Sequence, residues 1–247
     1  MKRAFLTVVL FAAAATASAQ IHSITTTRSR TGGTSSFSIG PRLSNYSTDI
    51  NAGPAPLETG RQSSFGVVGD WRSNNFVLDF SFDHDPENGI NISDIIIDTG
   101  NYARDRGEAT IGFAIAPILD LQGGIRFDTI RIGGASFFGT PFLSHLDIDH
   151  QALTAGIRIH SEDTMAPVGF YILGRGYLGS AQFKISGPNV NTDSFGFRAE
   201  GGVNVRLAES NWWVVPGLEF EQFETDEFNI NLKTNRVFIN FVYRSRM

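Results

Sequence analysis

The chain predicts an all-β fold, a closed antiparallel up-and-down transmembrane β-barrel, and three observations predict it. The first is sustained alternation. Between residues 195 and 207, Phe195, Phe197, Ala199, Gly201, Val203, Val205 and Leu207 hold one parity, and Gly196, Arg198, Glu200, Gly202, Asn204 and Arg206 hold the other. Successive side chains of a strand point to opposite faces, so this segment has one apolar face and one charged face. It is longer than the ~5–6 residues of an ordinary strand and covers the ~9–11 that a tilted strand needs to cross a bilayer. The second observation is that connections between such segments are alternately short and long. The third is an N-terminal export signal.

That signal occupies residues 1–19. Lys2 and Arg3 form its positive end, Leu6 to Ala15 its apolar stretch, and Ala17-Ser18-Ala19 an A-x-A cleavage site ahead of Gln20. The apolar run is too short to anchor the chain in a membrane. There is no cysteine, which excludes a lipoprotein anchor and a disulfide framework. Loss of Lys2 and Arg3 takes the formal charge from −5 to −7, an acidic balance unsuited to nucleic acid. No later stretch approaches ~18 consecutive apolar residues, so transmembrane helices are not expected. Barrel strands remain, because their membrane signal is spread thinly over many alternating segments.

Residues 20–33 read as a Ser/Thr/Gly-rich flexible leader, and 34–247 as the barrel. The first strand, 35–47, sets Phe37, Ile39 and Leu43 against Ser36, Ser38, Arg42 and Ser44. The second, 63–72, sends Phe65, Val67 and Trp71 outward and Asp70 and Arg72 inward. In the third, 75–84, Phe76, Leu78, Phe80 and Phe82 oppose Val77, Asp79, Ser81 and Asp83. The fourth, 109–118, has Ile111, Phe113 and Ile115 outside. The fifth, 123–132, sets Ile125 and Phe127 against Arg126 and Asp128, but Ile130 and Ile132 fall on the charged parity. A β-bulge would restore the phase.

The sixth strand, 150–160, opposes Leu153, Ala155, Ile157 and Ile159 to Thr154, Gly156, Arg158 and His160. The seventh, 167–178, opposes Val168, Phe170 and Ile172 to Tyr171, Arg175 and Tyr177. The 195–207 segment is the eighth. The ninth, 212–222, carries Trp212, Val214, Leu218 and Phe220 against Glu219 and Glu221, and the tenth, 233–243, carries Val237, Ile239, Phe241 and Tyr243 against Arg236, Phe238 and Asn240. Eight strands is the main alternative to ten, with 94–101 extending a neighbour above the membrane. Short joints lie near 72–75, 119–122, 161–166 and 208–211, and long ones at 48–62, 85–108, 133–149, 179–193 and 223–232. This matches short periplasmic turns and long outer loops, and an even strand count puts both termini in the periplasm. Trp71, Trp212, Trp213 and Tyr243 all lie beside short turns, where they would form an aromatic girdle.

On Ala17-Ser18-Ala19, the 195–207 alternation and the closing Val237-Phe238-Ile239-Asn240-Phe241-Val242-Tyr243, the chain resembles the small outer-membrane β-barrel proteins of diderm bacteria, the OmpA/OmpX-like group. The closing segment looks like the terminal strand that the barrel-assembly machinery recognises. The tail Arg244-Ser245-Arg246-Met247 departs from that pattern. The resemblance implies a monomer in the cell outer membrane, in contact with its lipids and lipopolysaccharide. It implies no cofactor, no metal and no catalytic residue. No peptidoglycan-binding segment is expected after the tenth strand.

The inward parity collects Asp70, Arg72, Asp79, Asp83, Arg126, Asp128, Arg158, His160, Arg175, Arg198, Glu200, Arg206, Glu219, Glu221 and Arg236. An isolated buried charge is very costly, so these groups are expected to pair across the lumen. Two readings follow: a charge-zippered bore, and a small passive pore lined by the same residues. The expected function is that of a non-enzymatic structural or surface-exposed barrel.

Two alternatives belong to other classes. Asp83 and Asp85 could face His150 with Asp149 or Asp147 across the mouth, resembling the acidic pair and Asp/His pair of omptin proteases, where a water is activated by general base. A soluble periplasmic lipocalin-like binding protein would put the apolar parity inside instead. The run Asp83 to Gly89, with Asp94 and Asp98 nearby, half resembles a calcium loop but lacks its terminal glutamate. There is no G-x-S-x-G, and no outward position is expected to supply the histidine that a lipid deacylase would need. Gly123-Gly124, Gly133-Gly134 and Gly201-Gly202 lack the strand–turn–helix setting of a nucleotide loop and read as bends or close approaches.

Overall fold

The computed structural model describes residues 35–51, 56–90, 97–98, 100–137, 140–161, 167–184, 189–227 and 230–246. The signal segment 1–19, the leader 20–33 and Asp94 lie outside the described residues. Twelve strands follow one another: β1 (Ser36–Asn51), β2 (Pro56–Glu58), β3 (Gln62–Ser73), β4 (Phe76–Ile90), β5 (Ile97–Asp98) and β6 (Gly100–Ala116); then β7 (Leu119–Phe137), β8 (Thr140–His160), β9 (Val168–Lys184), β10 (Val190–Arg206), β11 (Trp212–Thr225) and β12 (Asn231–Arg246). Ten of them form one antiparallel meander, and β12 pairs back onto β1 from Ser36↔Arg246 to Asn51↔Asn231. The sheet is therefore a closed ten-stranded barrel. The three-residue β2 pairs with β1, and the two-residue β5 with β7.

Closure leaves the wall no free edge, so each strand pairs on both sides, which is the condition for a sheet to enter hydrocarbon. The wall then has only two faces. On the outer one, Ile39, Leu43, Phe65, Phe82, Phe113, Ile125, Phe127, Leu153, Phe170, Leu178, Leu218, Val237 and Phe241 are all exposed, while Arg42, Asp83, Arg106, Arg126, Glu219 and Arg236 are buried behind them. A water-soluble barrel would reverse this arrangement. The lipocalin-like alternative is excluded by the direction in which the rings point, and the band is that of a transmembrane barrel.

At one end the turns are tight. Asn74, with φ 54°, makes the bend between β3 and β4 in the left-handed region that asparagine tolerates. The opposite ends are long arms. β7 and β8 run 19 and 21 residues, about twice the ~9–11 of a tilted crossing, so a large part of each stands beyond the bilayer. The stretches 85–108 and 133–149, read from sequence as outer loops, are largely strand: the β4–β6 and β7–β8 ladders continue through them.

Where the arms leave the band the polarity of the two faces inverts, and the β7–β8 and β8–β9 ladders keep their register across the change. On the outer wall the apolar series ends at Leu43, Phe65, Phe127, Leu153 and Leu178. The next outward positions are Asn45, Ser63, Thr129, Gln151 and Ser180, which occupy neighbouring rungs around the barrel. On the lumen side the sequence of types is the reverse. Tyr46, Ile50, Tyr102, Ile130, Ile148, Tyr177, Phe183, Phe223 and Leu232 pack as a buried apolar cluster inside the arms, with Ile132 and Leu146 against it. Ile130 and Ile132 therefore need no bulge. Pairing of β7 with β6 runs unbroken from Asn101↔Gly133 to Ala114↔Asp120, and both isoleucines point inward because the lumen, not the wall, is apolar at that height. The expected phase repair is corrected on this point.

The boundary can be tested on one face of one strand. Ile125→Arg, within the band, is expected to cost about 2–4 kcal/mol in a bilayer-refolding equilibrium, and Thr129→Arg, two outward positions beyond it, about 0–1 kcal/mol. Equal costs would place the membrane edge elsewhere.

Candidate functional site: the sealed charge network of the lumen

Inward positions in the middle of the barrel carry charge on nearly every strand. Among the described residues, Arg42, Arg72, Arg104, Arg106, Arg126, Arg158, Arg175, Arg198, Arg236 and Arg244 meet Asp70, Asp79, Asp83, Asp85, Glu108, Asp120, Asp128, Glu200, Glu219 and Glu221, ten cations against ten carboxylates. Every cation is arginine, whereas Lys184 and Lys233 stand on the outer wall of the arms. The planar fork of a guanidinium satisfies carboxylates two oxygens at a time, and an ammonium cannot do this.

The densest part lies between β4, β6, β7, β11 and β12. Arg104 forks onto Asp128 through Nε (2.8 Å) and Nη2 (2.5 Å), and Nη2 also reaches Glu221 at 2.6 Å. Arg106 donates to Glu219 (2.5 Å) and Glu221 (2.8 Å) through Nη1, and to Asp83 (2.6 Å) through Nη2. Arg126 bridges Asp128 and Glu221, both at 2.7 Å, and Arg236 stands 3.0 Å from Asp83. Nearer the short turns, Glu108 holds Arg175 (2.5 Å) and Arg198 (2.8 Å), Glu200 holds Arg42 (3.1 Å), and Asp79 holds Arg158 (2.9 Å). At the turn-end rim Arg72 meets Asp120 at 2.7 Å and His160 at 3.1 Å.

Aromatic rings cover this lattice. Arg126 lies over Tyr177 (4.6 Å), Arg42 over Phe238 (4.4 Å), Arg158 over Tyr171 (5.1 Å) and Arg236 over Tyr46 (5.0 Å). Such stacking stabilises a desolvated cation that a bare apolar wall would not. Two of the rings fit because glycine faces them across the ladder: a Cβ on Gly196 would meet the Tyr177 ring at 2.4 Å, and one on Gly217 the Phe238 ring at 2.3 Å. A second apolar cluster of Tyr171, Leu173, Trp213, Val215, Phe238 and Val242 lines the β9, β11 and β12 side of the bore toward the short turns. The central charges are thus flanked by apolar clusters, with Arg72, Asp120 and Arg244 farther out toward the turn-end rim.

Several expected positions change. Trp213 is 5 % exposed and points into the lumen, stacking on Arg244 at 4.6 Å, because it alternates with the outward Trp212. It leaves the aromatic girdle. Trp71, packed edge-on against Phe76 at 5.6 Å, and Trp212, against Tyr243 at 5.4 Å, remain on the outer wall at the turn end. Arg206 lies on the inward parity at the turn-end rim, where its Nε donates to the Ser210 carbonyl (2.8 Å), so it caps the 207–211 turn and no carboxylate pairs with it among the described residues. Asp70, Arg72, Asp79, Asp83, Arg126, Asp128, Arg158, Arg175, Arg198, Glu200, Glu219, Glu221 and Arg236 face inward.

Sequence reasoning did not count Arg104, Arg106 and Glu108, placed in an outer loop, nor Asp85, Asp120 and Arg244. The signal for the first three was present, since Tyr102, Arg104, Arg106 and Glu108 continue the inward phase of Thr110 and Gly112.

The residues of the protease alternative are not brought together. Asp83 and Asp85 are buried in the lumen beside Arg236. His150 is buried in the upper apolar cluster, 4.8 Å from the Phe223 ring. Asp149 is on the opposite face of the wall, 2.5 Å from Lys184 and 3.0 Å from Thr129. The Lys184 hydrogen bond holds the Asp149 carboxyl below its usual range. A lowered carboxylate value contributes stability above the unfolded pKa and loses it as pH falls through the folded one, so this outer contact is intact at neutral pH. Being exposed, it contributes little.

His84 corrects another expectation. It stands on the outer wall just beyond the band, against Phe65 at 5.0 Å, with Nδ1 2.5 Å from Asp105, which also accepts from Arg131. The half-match to a calcium loop at Asp83–Gly89 lies within β4, where Asp83 and Asp85 share the lumen face and His84 the outer one.

No family model and no curated protein matches the chain. Among solved structures it is similar to the outer membrane protease OmpT from Escherichia coli (TM-score 0.48, 5% identity, covering 91% of this chain and 99% of that one). It is also similar to Ail, the attachment invasion locus protein of Yersinia pestis (TM-score 0.35, 14%, 85% and 99%), and to the outer membrane protein OprG from Pseudomonas aeruginosa (TM-score 0.35, 10%, 87% and 96%). At these values each is a likeness only. Band and lumen define the class on their own: a closed ten-stranded transmembrane β-barrel whose bore is filled by paired charges.

Removing one partner from a buried ion pair leaves the other uncompensated, at about 3–5 kcal/mol. Glu219→Gln, which strands part of Arg106 and Arg236, is expected to destabilise by that amount. The double variant Arg106→Met/Glu219→Gln is expected to lose less than the sum of the two single changes in a double-mutant cycle.

Proposed function

We propose that the protein is a non-enzymatic barrel of a bacterial outer membrane, with both termini periplasmic and the strand arms at the cell surface, and that it acts as a structural and surface-exposed element with no open channel. The observation that carries this is the lattice of paired charges that fills the middle of the bore, with apolar clusters on either side of it. A conducting bore needs continuous water, and here the central charges are occupied by one another. The inverted polarity of the arms supports the surface role: a polar outer wall with an apolar interior suits a barrel that continues into water. The orientation is supported by the tight turns and the described chain ends Ser36 and Arg246 lying at one end, and the long arms at the other.

In this reading the partners are lipid acyl chains against the band, lipopolysaccharide around its upper edge, and the assembly machinery at the β12 segment Val237 to Tyr243. The barrel is a monomer, because closure leaves no strand edge to pair.

Planar-bilayer recording of the refolded protein, run beside a peptide-cleavage assay, tests the proposal. The expected outcome is no sustained unitary conductance and no cleavage. Steady channels would restore the pore reading, and cleavage abolished by Asp83→Ala or His150→Ala would restore the protease.

A further inference from the structure

Between the central lattice and the turn end the lumen has an open cavity of about 90 Å³, several times the ~10–15 Å³ that a single water requires. Five arginines line it (Arg42, Arg158, Arg175, Arg198 and Arg244) against three carboxylates, Asp70, Asp79 and Glu200. The two sets are unequally satisfied. Each carboxylate is already engaged: Asp70 by Ser38 (2.5 Å), Asp79 by Arg158 (2.9 Å) and Gln122, Glu200 by Arg42 (3.1 Å) and Tyr171 (2.5 Å). The arginines have donors left over.

Nε of Arg158, Nε of Arg175 and Nε of Arg198 are buried with no acceptor in hydrogen-bonding geometry, and Nη1 of Arg42 has carboxylate oxygens only at 3.9 Å, whereas Nη1 of Arg198 is held by Glu108 at 2.8 Å. Arg42 and Arg198 are themselves only 3 % exposed. Arg175 and Arg198 share Glu108, two cations on one carboxylate. Arg244 donates to Asn204 Oδ1 at 2.9 Å and stacks on Trp213, and among the described residues no carboxylate oxygen lies within ion-pairing distance of it. The cavity therefore holds an excess of positive charge and of unused N–H groups, and no unused acceptor of matching number.

We propose that this turn-end cavity is a binding site for a small tetrahedral oxyanion of the phosphate class. A guanidinium donates through two parallel N–H groups to such an anion as it does to a carboxylate. An oxyanion placed among Arg42, Arg198 and Arg244 takes up the surplus donors, balances Arg244, and fills space that side chains leave open. It makes the site an anion trap at the turn end of the bore, where arginines outnumber carboxylates.

Inorganic phosphate is the probe. The refolded full-length protein is titrated with phosphate at constant ionic strength set by sodium chloride, read by calorimetry and by the temperature at which heat-modifiable gel migration is lost. A saturable one-to-one signal with a rise in that temperature is expected, weakened at least tenfold by Arg244→Gln. Because Arg244 is only partly buried at the rim and pairs with no carboxylate among the described residues, this variant is expected to fold and migrate as the parent does. Asn204→Ala, which removes only the partner that orients Arg244, is expected to weaken phosphate by a smaller factor. A response that chloride reproduces at equal ionic strength, or one unchanged in Arg244→Gln, would overturn the site.

Discussion

The structure depends on one confinement: a closed sheet whose inward parity has nowhere to go. Once β12 pairs with β1, the bore has a fixed width and every second residue of ten strands projects into it. Charges placed there cannot reach bulk water, and their desolvation is offset only if each has an opposite charge and good hydrogen bonds. The near-equal numbers of inward arginines and carboxylates among the described residues follow from that requirement. So does the choice of arginine. Arg106 joins three carboxylates on two strands at once, and a single ammonium nitrogen on a flexible stem would hold the same three with far less geometric definition.

The second constraint is that each long strand serves two solvents. Along β8 the outer face passes from Asp149 and Gln151 to Leu153 and Ile157, while the lumen face passes from Ile148 and His150 to Thr154 and Arg158. Neither face is apolar throughout. Where the surroundings are acyl chains, apolar residues face out. Where they are water, apolar residues face in, and the interior of the arms becomes an ordinary buried core. Because the strand does not break its pairing at the change, the arms are rigid continuations of the wall, held on the outside by cross-strand polar contacts such as Thr129 with Asp149 and Gln182 with Asn191.

How much of this could be read from the residues depends on which physical quantity a sequence encodes. Alternation encodes the face of a strand, and so the pairs Phe65/Asp70, Ile125/Arg126 and Phe220/Glu219 were legible. Ile130 and Ile132 broke the pattern as first read because a single rule, apolar outward, was applied past the height at which it holds. The segment 85–108 contains Pro86, Asn88 and Gly89 and resembled a loop, which hid Arg104, Arg106 and Glu108 from the lumen inventory. Trp213 was assigned by proximity to a turn when its parity already contradicted that of Trp212. Partner choice was not legible at all. Arg106 and Glu219 are 113 positions apart, and strand faces say nothing about which strands confront each other across a bore.

Cancellation of charge within the lumen has a consequence for the outer surface. The chain carries a formal charge of −5. If the bore is neutral, that excess must sit outside it. On the outer wall of the arms Asp49, Asp105, Asp149, Asp193 and Glu224 outnumber Arg131, Lys184 and Lys233. The surface beyond the band is thus acidic, and it repels anionic headgroups unless cations intervene. Arg131 and Lys184 do not reverse this, since each is held against a carboxylate, Asp105 and Asp149 respectively. Among the described residues the division holds for most of the charge: arginine neutralises the carboxylates that are enclosed, and unbalanced carboxylates are left where water and counterions can solvate them.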